Sequence, residues 1–148
     1  MGFLSKCLTF TSQVIQSSCV LYFTFNYIGE FVMCQGPSME PTLSSDDIIL
    51  TEHISPAINK VDRGDIIIAI CPTNPHQHIC KRVVAVQGDK IRRGLTSHVV
   101  PIGHVWLEGD NKNNSQDSRN YGPVPLGLIQ SRAILKIYPF SDISKLTD

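Results

Sequence analysis

The sequence predicts a mainly β fold behind one N-terminal helix, and three observations predict it. Cys7 to Gly29 contains no formal charge, five short β-branched runs follow Cys34, and no stretch beyond the first sustains a 3.6-residue period. The 148 residues have room for one modest domain and little room for a second. We assign residues 1–33 to an anchor helix and residues 34–148 to the domain that carries the chemistry.

The uncharged stretch between Lys6 and Glu30 is about as long as a helix must be to cross a bilayer core. Thr9, Thr11, Ser12, Gln13, Gln16, Ser17, Ser18, Thr24 and Asn26 dilute the apolarity of Val14, Ile15, Leu21, Tyr22 and Phe25, which makes insertion marginal. Thr9, Gln13, Gln16 and Ser17 share one side at helical spacing, and in a spanning helix such a side faces a second helix. The expectation is an uncleaved anchor with a membrane partner. A cleaved targeting segment and an amphipathic surface helix are the alternatives, although an Arg-rich transit peptide fits poorly because the first arginine is Arg63.

Asp47–Thr51, Asp65–Ile70, Ile79–Val86, His104–Glu108 and Ala133–Ile137 have strand length and composition. Cys71 to His78 is rich in turn formers between two strong strands and predicts a long hairpin. Gln87-Gly88-Asp89 and Glu108 to Asn111 mark further turns.

Thirteen Lys+Arg balance thirteen Asp+Glu, which removes a global electrostatic reason to bind nucleic acid or an anionic membrane. The five cysteines are odd in number and two lie in the N-terminal stretch, so free thiols are expected, with a Cys71–Cys80 bridge across the hairpin as the alternative. Cys71, His76, His78 and Cys80 match no common zinc spacing, and no metal or cofactor is called for.

The chemistry begins at Gly36-Pro37-Ser38-Met39-Glu40-Pro41-Thr42-Leu43. A serine hydroxyl needs a neighbouring base to become a nucleophile. His53, His76, His78, His98 and His104 carry no triad context. Lys81 is the better candidate, because period-two alternation puts it on one face with Ile79, Val83 and Ala85. Hydrocarbon around an amine disfavours the ammonium, and bringing a lysine to near neutrality costs roughly 4–5 kcal/mol. A neutral Lys81 could deprotonate Ser38 without any histidine. A snorkelling lysine with only its stem buried is the competing reading.

Four blocks stand in order: Ser38 to Leu43; Arg63-Gly64-Asp65-Ile66; Lys81-Arg82-Val83-Val84 with Gly88-Asp89; and Gly109-Asp110-Asn111 with Asn114 to Arg119 and Tyr121 to Val124. Together they resemble the type I signal peptidase family of membrane-bound Ser-Lys proteases. The resemblance implies a signal-peptidase-like β catalytic domain in which Ser38 is the nucleophile and Lys81 the general base. It implies that Ser115 orients the lysine ammonium and that Asp117 and Arg119 form a supporting ion pair, with Asp110 and Asn111 structural. It also implies an oxyanion hole built on the Ser38 N–H and at position 36, where bacterial members often carry a serine hydroxyl. Gly36 supplies no hydroxyl here and Pro37 no N–H, which leaves the second donor unassigned.

The short chain and His104-Val105-Trp106-Leu107-Glu108-Gly109-Asp110 resemble the mitochondrial inner membrane branch of that family. That branch implies a catalytic domain facing the intermembrane space, a heterodimer with a homologous second subunit, and precursors with hydrophobic sorting signals as substrates. A weakly active structural subunit and a signal peptidase of another membrane are the alternatives. Arg63-Gly64-Asp65 reads as a turn into a strand rather than an adhesion tripeptide. A glycan on the sequon Asn113-Asn114-Ser115 would crowd Ser115.

Overall fold

A computed structural model of the chain describes residues 3–24, 29–93 and 96–147. Phe25 and Asn26 of the uncharged stretch lie outside the described residues. The expected helix is α1, Phe3–Phe23. Its side chains from Lys6 onward are exposed, and no helix among the described residues is long and apolar enough to cross a membrane. The Thr, Ser and Gln residues counted above are the physical reason, since each lowers the mean hydropathy of the segment. The helix is therefore present, and a spanning anchor is not evident in it.

The β expectation holds. The strands are β1 Gly29–Met33, β2 Ile48–Glu52, β3 Ile66–Cys71, β4 Asn74–Ala85, β5 Lys90–Arg93, β6 Thr96–Val99, β7 His104–Glu108, β8 Val124–Pro125, β9 Ile129–Tyr138 and β10 Ser144–Lys145. One antiparallel sheet runs β1-β2-β9-β3-β4-β7-β8, with β10 paired to β9, and β5 and β6 form a separate ribbon. Gly29–Met33, placed with the anchor segment above, is thus the first strand of the sheet and pairs with β2. The hairpin is tighter than expected. Cys71 pairs with Asn74, so His76 and His78 lie on β4 rather than in a loop, and both are exposed.

Two apolar clusters explain why β3 reads as an unbroken run. Ile67 and Ala69 pack on one face with Val61, Val83, Val105 and Leu107, while Ile66 and Ile68 pack on the other with Cys34, Met39, Leu43 and Ile49. A strand covered on both sides loses the polar alternation of a half-exposed one. Val83 continues the first cluster from β4, and a register shift before Ala85 moves that residue into a third cluster with Val100 and Trp106.

Arg63-Gly64-Asp65 is used internally, as the turn reading requires. The Arg63 guanidinium pairs with Asp89, Gly64 N donates to the Val83 carbonyl at 2.8 Å, and buried Asp65 lies 3.6 Å from Arg132. The same economy appears at Lys136, 4% exposed, whose ammonium contacts Asp47 at 2.7 Å and Asp142 at 2.8 Å. Removing one partner of a buried pair leaves the other charged and desolvated. Lys136→Ala should therefore lower the unfolding free energy by about 3 kcal/mol, visible as a lower midpoint in chemical denaturation.

Candidate active site

Ser38 sits in a 3₁₀ turn, Pro37–Met39, that follows a glycine in the left-handed region, Gly36 at φ 88°. Proline at the first position presets the turn, and buried Met39 anchors it in the second apolar cluster. The segment after β7 grips this turn from outside. Asn111 N donates to the Ser38 carbonyl at 3.0 Å and Asn111 Nδ2 to the Pro37 carbonyl at 3.1 Å. Asp110 accepts from Thr42 Oγ1 at 2.6 Å and from the Arg82 guanidinium at 2.8 and 2.7 Å. Gly109 packs so closely that a Cβ there would collide with Ser115 Oγ and the Ser38 carbonyl oxygen.

Lys81 comes from β4 opposite Ile67 and is 4% exposed. One cleft of about 230 Å³ is lined by Ser38, Gly36, Lys81, Gln116 and Tyr121. The Lys81 amine forms no ion pair or hydrogen bond with any described residue, whereas equally buried Lys136 has two carboxylates. Burial holds the Lys81 amine below the ordinary lysine value, against the opposing pull of Cys80, Asp117 and Cys71, while Arg119 reinforces the shift. An amine so placed can take up a proton from a hydroxyl in the same cleft.

Asp117 organises the far wall. Its carboxylate accepts from Gly109 N at 3.0 Å, Ser115 Oγ at 2.7 Å, and Arg119 Nε and Nη2 at 2.8 Å each. It also caps the short helix α2, Ser118–Tyr121, by accepting from Arg119 N, while Asn120 answers by accepting from Asp117 N. Ser115 gives its proton to Asp117, so its oxygen keeps lone pairs for another donor.

The signal peptidase, peptidase S26 family matches residues 7–96 and 91–138 of the chain. The chain belongs to this family. Mitochondrial inner membrane protease subunit 1 of Mus musculus is 48% identical over 153 residues, covering 99% of this chain and 92% of the relative. The Homo sapiens protein of the same name is 47% identical, covering 98% and 91%. Subunit 2 of Mus musculus is 41% identical over 71% of this chain and 65% of its own length. These relatives bear out the resemblance to the mitochondrial inner membrane branch drawn from the short chain and from His104 to Asp110. A solved signal peptidase I from Enterococcus faecalis aligns with TM-score 0.41 and 23% identity over 47% of this chain and 93% of that one.

In this serine-type peptidase of the S26 family, the residues singled out in the sequence occupy one neighbourhood. Ser38, Lys81 and Gly36 line the cleft, and Ser115, Asp117 and Arg119 form a bonded cluster that Gly109 ties to the Ser38 turn. Gly36 holds a backbone torsion that suits glycine, and apart from its chain neighbours no described atom lies within 4 Å of a Cβ built there. Tyr121 was quoted in the last block without a role, and it contributes a buried hydroxyl that has no partner among the described residues. Gln77 and Gln116 also line the cleft, and nothing in their spacing marks them.

Burial alone would raise the Asp117 carboxyl, but the donors from Arg119, Gly109 and Ser115 outweigh it and bring the value to about 2. Because the folded value lies below the unfolded one, the stabilisation is complete above about pH 4 and is lost as pH falls through about 2. It amounts to about 2 kcal/mol. Asp117→Asn should reduce stability at neutral pH and flatten its decline between about pH 4 and pH 2, measured by denaturant titration at each pH.

Proposed function

We propose that the chain is a serine endopeptidase that works with a Ser38–Lys81 dyad and removes hydrophobic sorting sequences from precursor proteins. The observation that carries this is the contrast between two lysines of equal burial. Lys136 is neutralised by Asp47 and Asp142, while Lys81 is held without a carboxylate in the cleft that Ser38 lines. A lysine kept out of water and without a counter-ion is poised to be neutral, the form a general base needs.

Ser38 Oγ gives its proton to the Lys81 amine as it attacks the scissile carbonyl carbon. The Ser38 N–H, which has no acceptor among the described residues, points the reading of the oxyanion toward the backbone. The protonated Lys81 then returns its proton to the leaving amine. Water, deprotonated by Lys81, hydrolyses the acyl-enzyme and frees Ser38. Ser115, held by Asp117, positions Lys81, and Arg119 keeps Asp117 ionised.

The relatives named as subunits of mitochondrial inner membrane proteases support placing this chain at that membrane, and a β domain in the intermembrane space is part of the proposal. The two kinds of subunit among them support a heteromer of two homologous chains. The polar side of α1 fits attachment through such a partner better than a lone span.

Membranes carrying the chain and its second subunit should cleave a sorting-signal precursor. Ser38→Ala and Lys81→Ala should each lower that rate by at least about 10³-fold at equal expression, scored by the ratio of mature product to precursor. Undiminished cleavage by both variants would sink the dyad. The rate should also rise with pH and level off below the ordinary lysine value of 10.5, because the base is competent only after losing its proton.

A further inference from the structure

Two cysteines with no part in the dyad meet across the fold. Cys34 follows β1 at one edge of the sheet, and Cys80 lies on β4, four strands along. The sheet curls enough that Cys80 packs against the cluster that contains Cys34, Met39 and Ile68. Each thiol is the largest influence on the other's titration, as two side chains sharing one cluster can be. Both residues line one groove of about 510 Å³ beside the Ser38 cleft, which gives a small reagent access.

The backbone at each position is fixed. Cys34 N donates to the Asp47 carbonyl at 2.8 Å, its carbonyl accepts from Asp46 N at 2.9 Å, and Cys80 is held opposite Ile68. The remaining described thiols are disposed elsewhere. Cys71 Sγ lies 3.2 Å from Thr73 Oγ1, and Cys7 and Cys19 are exposed on α1. All five cysteines are free in this structure.

We propose that Cys34 and Cys80 are a redox-active dithiol, a modification site that a small disulfide such as oxidised glutathione converts to a Cys34–Cys80 disulfide. The neighbouring Cys80 holds the Cys34 thiol below its ordinary value and Cys34 pushes Cys80 above, which makes Cys34 the attacking thiolate. Cys34 Sγ displaces one glutathione thiolate and forms a mixed disulfide. Cys80, losing its proton, attacks Cys34 Sγ and displaces the second. Two cysteine thiols are oxidised, one glutathione disulfide is reduced to two thiols, and the two cysteine protons pass to the leaving groups.

The new bond ties the chain leading into Ser38 to the residue next to Lys81, and it closes a long loop. It constrains the unfolded chain most of all, so the oxidised protein unfolds later. The exchange chemistry does not require that Ser38 and Lys81 be catalytic.

The test is the full-length wild-type chain equilibrated across a series of glutathione redox ratios, alkylated, digested without reduction and analysed by mass spectrometry. The expected result is one linked peptide pair, Cys34 with Cys80, appearing in a single two-electron transition while the other thiols remain alkylated. The unfolding temperature should rise by roughly 10 °C in the oxidised form. Cys34→Ser should lose both the linked pair and the shift, and Cys80→Ser should do the same. The proposal is overturned if Cys80 links to Cys71, if only glutathione adducts form, or if Cys34 and Cys80 alkylate fully at every ratio.

Discussion

A single carboxylate with no exposure to water holds this structure's chemistry together. Asp117 accepts hydrogen bonds from a β7-terminal amide, from a serine, and from an arginine side chain and its backbone N–H. Three tasks usually given to separate residues are merged in it: helix cap, ion-pair partner and loop clamp. Because Gly109 hangs from Asp117 and presses on the Ser38 carbonyl, the acid in one loop determines where a turn some eighty residues earlier comes to rest. Such a hub is expensive to build, since a buried carboxylate with any donor missing would be worse than an apolar side chain.

Around that hub the fold sets two lysines against each other. β4 and β9 both bury one, but β9 lies beside the segments that bring Asp47 and Asp142 to Lys136, while the surroundings of Lys81 are Ile67, Val83 and the cleft. The double-faced core is what makes the second environment possible. With apolar clusters on both sides of β3, its neighbour β4 can present Cys80 to one layer and Lys81 to the other. The role of base proposed for Lys81 thus rests on ordinary alternation in β4, which puts that lysine on the buried face with Val83 and Ala85.

Much of this was legible along the chain. The β-branched runs at Ile48, Ile66 and Ile79 marked strands, and at Ile66 burial on two faces leaves no polar alternation to confuse the pattern. β1 was not legible, since Phe31-Val32-Met33 follows the uncharged stretch with only Glu30 between them, and its strand character comes from pairing with β2. The β5–β6 ribbon escaped for the opposite reason: Lys90-Ile91-Arg92-Arg93 is polar, and it is held by its partner strand, by Ile91 on the third cluster and by the His98 ring stacked on Trp106. The short turn at Pro72-Thr73 was hidden among too many turn formers. In the site, Ser38 and Lys81 stood out by residue type and face. The grip of Asn111 on the Ser38 turn and the meeting of Cys34 with Cys80 are contacts across long sequence separations, and no local period encodes them.

The torsion at Gly36 bears on which changes are open to this protein over time. A left-handed backbone is cheap for glycine and strained for serine, and the empty space around the position offers no contact to offset that strain. A hydroxyl gained here would come with strain in the turn that holds Pro37 and Ser38. Selection at this position then acts on the turn itself and on the grip of the surrounding loops rather than on one more side chain.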